Sequence, residues 1–177
     1  MPYAITLRLD DSAATLIEAL QGALRDGVAE HAYPPHLTLA VCPDEAAEDA
    51  LRATLADVAR HWGALPIRLA GIGLFPGDPT VIWAAPVVTE DLLRRHASLH
   101  AALPASLRHP HYRPGAWMPH VTLRQGGGLP TDRMMARLLP LWRGPIAGVA
   151  DRVELVRFAP PTVLWSRQLG EGGGGAA

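Results

Sequence analysis

PPHLTLA at residues 34–40 and MPHVTLR at 118–124 are two versions of one phrase, and the fold follows from reading them together. In each, proline precedes histidine and threonine stands two residues further on. Residues i and i+2 of a strand share a face, so His36 with Thr38, and His120 with Thr122, each set an imidazole beside a hydroxyl. Leu37, Leu39, Val121 and Leu123 then pack the other face. A second pair of stretches repeats as well: FPGDPTVIW at 75–83 matches FAPPTVLW at 158–165, and the spans from His36 to Trp83 and from His120 to Trp165 are 47 and 45 residues. Matched motifs at matched offsets indicate an internal duplication, and two copies of so long a unit are too few for a solenoid. The expected architecture is α+β: two pseudo-symmetric lobes with an active-site cleft between them.

Working outward, YAITLRL at 3–9 alternates as a strand, and 11–26 carries Leu16, Ile17, Leu20 and Leu24 at helical spacing behind Asp10, Asp11 and Ser12 as caps. A strand over HLTLAV, a helix over 44–62, strands near 66–74 and 80–88 and a helix near 89–103 follow. A Pro/His-rich loop at 105–118 leads into the strand HVTLRQ. Then come a helix near 131–142 and strands near 150–158 and 161–169. Residues 1–169 read as one domain made of two lobes, and GEGGGGAA at 170–177 as a disordered tail, since it has nothing to bury.

A chain of 177 residues with 49% hydrophobic content has enough apolar material for a sizeable core. Its net charge of −1, with acids and bases interspersed, argues against holding long nucleic acid; a short or terminal nucleotide remains within reach. All 16 basic residues are arginine, so any phosphate would be clamped by guanidinium groups. The single cysteine, Cys42, excludes an internal disulfide and a thiolate metal cluster, which fits a reducing cytoplasmic setting. Neither a signal peptide nor a membrane span is expected, and nothing implies a stable protein partner.

Two histidines and two threonines converging on one cleft suit a phosphodiester. Neutral histidine accepts a proton from the attacking hydroxyl or water and imidazolium donates one to the leaving oxygen, on opposite sides of phosphorus. The threonine hydroxyls would meet the non-bridging oxygens as charge builds there. This chemistry requires no cofactor and no metal. Elsewhere, His96 and His100 stand at i and i+4 on a helix but lack the glutamate of a zinc protease motif, and read as ordinary surface or core histidines. His109, His111, Tyr112, Arg113 and Trp117 precede the second motif, where aromatics can stack a base and arginine can meet phosphate. Trp83 and Trp165 read as core.

The paired phrases resemble the 2H phosphoesterase superfamily, which includes the bacterial 2′-5′ RNA ligase-like proteins and RNA 2′,3′-cyclic phosphodiesterases. GLFPGDPTVIW at 73–83 and the helix carrying LHAAL look like the cyclic phosphodiesterase branch. The resemblance runs from the first strand to about Leu169. It implies two lobes of antiparallel β-sheet flanked by helices, catalysis by His36 and His120, phosphate binding by Thr38 and Thr122, and a small nucleotide or RNA-end substrate with a cyclic phosphate or 2′-5′ linkage. The second motif departs from the branch's H-x-T-x-A-R pattern, because Arg124 directly follows Leu123. Strand alternation puts Arg124 on the face of His120 and Thr122, as a substrate contact supplied by one lobe alone; Arg113, Tyr112 and Tyr33 are further candidates. The rival reading is a non-catalytic nucleotide or RNA-end binding module that kept the pocket.

Overall fold

A computed structural model describes residues 2–25, 33–126 and 130–170. Among the described residues, seven strands and four α-helices follow one another: β1 (Tyr3–Leu9), α1 (Asp11–Ala23), β2 (His36–Cys42), α2 (Glu48–Val58), β3 (Leu65–Phe75), β4 (Val81–Pro86), α3 (Glu90–Ala102), β5 (Val121–Gln125), α4 (Thr131–Leu138), β6 (Ile146–Arg157) and β7 (Thr162–Gln168). All strand pairs are antiparallel and form one sheet, in the order β2-β1-β6-β3-β4-β5, with β7 also beside β6. The fold is α+β, as the sequence led us to expect.

β6 makes the sheet continuous. Its residues 150–157 pair with β1, and residues 152–157 also with β7, while residues 146–150 pair with β3. Each end of the sheet therefore finishes in a motif strand, β2 at one and β5 at the other, and these two edge strands touch. One face buries Ile5, Leu7, Leu37, Leu39, Ile82, Val121 and Leu155 against the helices, which contribute Ile17, Leu51, Leu55, Leu92, Leu99 and Leu138. Asp10 fastens α1 to this sheet: Oδ1 accepts the Ala13 N–H as a helix cap, and Oδ2 accepts the Val149 N–H of β6. Such a cap is worth about 1 kcal/mol.

Several boundaries differ from expectation. β6 begins at Ile146 rather than near 150, because its first residues are claimed by β3. α4 ends at Leu138 instead of 142: Leu139 still has helical φ and ψ, but Pro140 has no N–H to continue the ladder. Gly170 belongs to the fold: it bridges to Gly63 and its carbonyl accepts the Ala64 N–H, so the expected tail does not begin before 171. Residues 171–177 lie outside those described.

The pairing of each motif strand with its neighbour is interrupted, at corresponding places. Thr6 pairs with Thr38 but Ile5 with Ala40, leaving Leu39 as the extra residue of a bulge. Likewise Trp83 pairs with Thr122 but Ile82 with Arg124, with Leu123 extra. A bulge turns the residues after it onto the other face. Both motifs therefore keep histidine and threonine together while redirecting the residue four positions after the histidine.

Candidate active site

The two histidines are held in the same way. His36 Nδ1 lies 2.8 Å from the Pro34 carbonyl oxygen, and His120 Nδ1 lies 2.8 Å from that of Met118. A carbonyl only accepts, so each Nδ1 carries the hydrogen and each neutral ring keeps its lone pair on Nε2. Pro35 and Pro119, both buried, sit between acceptor and ring, and their fixed φ sets the geometry of the short loop. A cavity of about 200 Å³ brings the two ends of the sheet together, lined by His36, Tyr33 and Phe158 from one and by Thr122 and Gln125 from the other. Gln21 of α1 also lines it and donates from Nε2 to the Thr122 carbonyl at 2.9 Å.

Around His36 the surroundings are polar. Tyr33 packs against the imidazole with centroids 4.7 Å apart, and its hydroxyl donates to Glu154 while accepting from Thr6. Burial is the main cause, and Glu154 a further one, of a Tyr33 hydroxyl held well above the usual phenol range, so it stays a donor. Glu154 also accepts the Ser166 hydroxyl at 3.1 Å and lies 3.6 Å from the Arg8 guanidinium. Around His120 the surroundings are aromatic. Phe75 stacks on Trp83 and meets His120 edge-on at 5.0 Å; Trp83 is 5.9 Å from His120. Burial lowers the His120 pKa from its ordinary 6.5, opposed only by the hydrogen bond to Met118, so the ring is neutral near pH 7.

Not every candidate is brought here. Arg124 pairs with Ile82 and not in step with Thr122, because of the bulge; it is 5% exposed, and its Nε–H donates to the Gly126 carbonyl at 2.8 Å. The face shared with His120 that simple alternation required is therefore not kept, and Gln125 takes the place beside Thr122. Thr38, His120, Tyr112 and Arg113 do not line this cavity; the Tyr112 carbonyl accepts from His96, and Arg113 is exposed and bonded to the Arg108 carbonyl. The loop of Tyr112 and Arg113 instead braces β2, whose Thr38 and Val41 carbonyls accept from Trp117 and the His109 backbone, while the Leu39 carbonyl accepts from His100 of α3. His96 and His100 are core residues, at 3% and 1% exposure, and His96 stacks on Trp117 at 3.9 Å. Trp83, expected in the core, is half-buried beside His120, whereas Trp165 does pack against the core.

Sequence reading misses Arg8, Glu154, Gln21, Gln125 and Phe158. For Arg8 and Glu154 a signal exists: each is a charge inside an otherwise apolar strand, in ITLRL and RVELV. Among the described residues, no three His, Cys, Asp or Glu side chains gather at metal-binding spacing, and no helix is long and apolar enough to cross a membrane.

The sequence profile of the 2′-5′ RNA ligase superfamily matches residues 9–160, a span that contains both histidines. The chain belongs to the 2′-5′ RNA ligase superfamily. Solved structures agree with this membership of a 2H phosphoesterase family. A Thermus thermophilus protein is 26% identical, with a TM-score of 0.67 and coverage of 97% of this chain and 99% of that one. E. coli LigT complexed with 3′-AMP is 17% identical at a TM-score of 0.65, covering 96% and 99%. Kluyveromyces marxianus Usb1 is 14% identical at 0.57, covering 92% and 97%. No curated protein sequence matches the chain. In this superfamily member, both edge strands of the sheet bring a histidine and a threonine to its open face.

Proposed function

We propose that this chain is a metal-independent phosphodiesterase that opens 2′,3′-cyclic phosphate ends, or the related 2′-5′ diester, of RNA or nucleotides. The observation that carries this reading is the pair of identical Nδ1–H bonds, which make Nε2 the proton-transfer atom of both rings. His120, lowered by burial, is neutral and takes the proton of an attacking water; His36 as imidazolium gives one to the departing ribose oxygen. The phosphorus–oxygen bond to that ribose oxygen breaks as the water oxygen bonds to phosphorus. Thr38 and Thr122 donate to the non-bridging oxygens, where the transition state gathers charge. With a 5′-hydroxyl in place of the attacking water, the same steps open the cyclic phosphate into a 2′-5′ linkage, the 3′-oxygen leaving with the proton from His36. E. coli LigT, of similar fold, has been crystallised with 3′-AMP and with ATP, which supports a nucleotide ligand here. The lone buried Cys42 accords with the cytoplasm.

The test is turnover of 2′,3′-cyclic mononucleotides and cyclic-ended RNA with EDTA present, and identification of the product phosphate. A 2′-phosphate product formed in EDTA is expected. Activity that chelation abolishes and Zn²⁺ or Mn²⁺ restores would overturn metal independence. Tight binding without turnover would favour the non-catalytic end-binding module.

A further inference from the structure

Residues directly opposite one another on paired strands project to the same face. The registers therefore describe the neighbours of each catalytic histidine. Next to His36 comes Arg8 on β1, then Arg152 on β6, then Gln168 on β7. The adjacent row runs Thr38, Thr6, Glu154, Ser166. At the other end, Trp83 pairs with Thr122 and Gly73 with Trp83, while Ala85, one residue on from the Ala84–Val121 pair, pairs with Gly71. So one histidine borders two guanidinium groups and the other borders small and aromatic side chains.

Arg8 is held but not spent. Its side chain is 19% exposed, and its one carboxylate contact, Glu154, is 3.6 Å away and also accepts from Tyr33 and Ser166. Its Nε–H is covered and has no partner among the described residues. The donors that a ligand can meet are those of the part-exposed terminal nitrogens, which this one long carboxylate contact does not use up. Arg152 is exposed, with Nε and one terminal nitrogen on Gln168 Oε1, which holds the fork extended along the sheet. Strands are spaced at about 4.8 Å, so Arg8 and Arg152 stand roughly one and two spacings from His36. A guanidinium fork is the donor geometry that matches a phosphate.

We propose that Arg8 and Arg152 form a subsite for a second phosphate of the substrate, so that the enzyme prefers a cyclic phosphate end carrying a further phosphate on the same nucleotide over a bare cyclic nucleoside. This rests on the phosphodiesterase reading and gives the substrate a direction: its additional charge lies over β1 and β6, away from the Phe75–Trp83 side. Glu154, with Tyr33 and Ser166 on its oxygens, positions Arg8 and is not itself a substrate contact.

The experiment compares kcat/KM for adenosine 2′,3′-cyclic phosphate with that for the same compound bearing a 5′-phosphate, across a salt series. The variants are Arg8→Gln, Arg152→Gln and, as a charge control, Arg133→Gln on the exposed side of α4. The wild type should favour the 5′-phosphorylated compound by about tenfold or more, and each site variant should lose most of that preference, as expected for one charge-assisted contact. The salt dependence of the preference should flatten in the same two variants, which a purely structural role would not produce. Arg133→Gln should retain both. Should Arg8→Gln fail to fold, exposed Arg152→Gln carries the test. Equal kcat/KM for the two compounds in the wild type, or a preference unchanged in both site variants, would overturn the subsite. If neither compound is turned over, the phosphodiesterase reading fails instead. Binding of the same two compounds then decides the subsite: a preference lost in Arg152→Gln upholds it, and no preference overturns it.

Discussion

His36 and His120 can exchange protons with a substrate only through Nε2, because Nδ1 of each is committed to the carbonyl two residues before it. Replacing either by alanine removes one proton-transfer partner, so we expect turnover to fall by roughly 10² to 10⁴ with little change in thermal midpoint. Near wild-type turnover in either variant would end the two-histidine mechanism. The pH profile follows from the surroundings of His120. A base acts deprotonated, and burial lowers this one from 6.5, so kcat/KM should hold on acidification past 6.5 and fall only below it. Phe75→Ala admits water to the ring and should move that acid limb upward; an unmoved limb would show that another group sets it. Arg124 takes a different part from the histidines. With its side chain buried and Nε on the Gly126 carbonyl, Arg124→Ala should cost about 1–3 kcal/mol of stability in a urea titration and leave KM nearly unchanged. A raised KM at wild-type stability would restore it to the substrate.

At the scale of strands and helices, the site depends on close approaches that one-dimensional periodicity does not carry. A Cβ added at Gly73 would lie 2.2 Å from the Trp83 ring, so the indole crosses β3 only because no side chain is there. Gly73→Ala should displace Trp83, and with it the Phe75 and His120 contacts, lowering kcat/KM about tenfold or more and shifting tryptophan emission. Unaltered kinetics would make the aromatic pair incidental to His120. α3 has its own signature. Burial holds His96 down to about 4, while the unfolded ring titrates near 6.5. The unfolded chain alone therefore takes up that proton as pH falls from 6.5 towards 4, and stability drops across this window, on the order of 3 kcal/mol by its end. His96→Phe should flatten the decline; an equal slope in both proteins would assign the acid sensitivity elsewhere. The same scale separates the legible part of the sequence from the rest. Alternation locates β2, β5 and their histidine-threonine pairs, because that information lies within five consecutive residues. The bulges at Leu39 and Leu123 arise from mismatch with β1 and β4, partners about 30 to 40 residues away. Hence strict alternation puts Arg124 on the wrong face and passes over Gln125.

For the molecule as a whole, the sequence repeat led to two lobes, and the sheet shows how they are joined: β6 serves both ends, with β3 along its first residues and β1 and β7 along the rest. Nothing local to IAGVADRVELVR announces that division, because all its partners but β7 are distant in sequence. A shared central strand couples the two ends energetically, since opening either one strips hydrogen bonds from β6. Unfolding in urea should therefore be a single transition, with far-ultraviolet circular dichroism and tryptophan fluorescence coincident, although Trp83 and Trp165 report from opposite ends of the sheet. The junction gives a sharper test. Gly148 lies in the stretch of β6 that pairs with β3, and a Cβ there would meet Ala13 Cβ at 2.4 Å and Asp10 Oδ1 at 3.3 Å. Those two residues begin α1, whose capping carboxylate also receives the Val149 N–H. Gly148→Ala must push the helix start away from the sheet, an overpacking cost of about 1–3 kcal/mol. If the sheet is one cooperative unit, the urea midpoint falls, the slope is unchanged and both probes still coincide. Separation of the probes, with fluorescence or circular dichroism retaining a second transition at the wild-type midpoint, would show that the two ends unfold independently and that β6 joins them without coupling them.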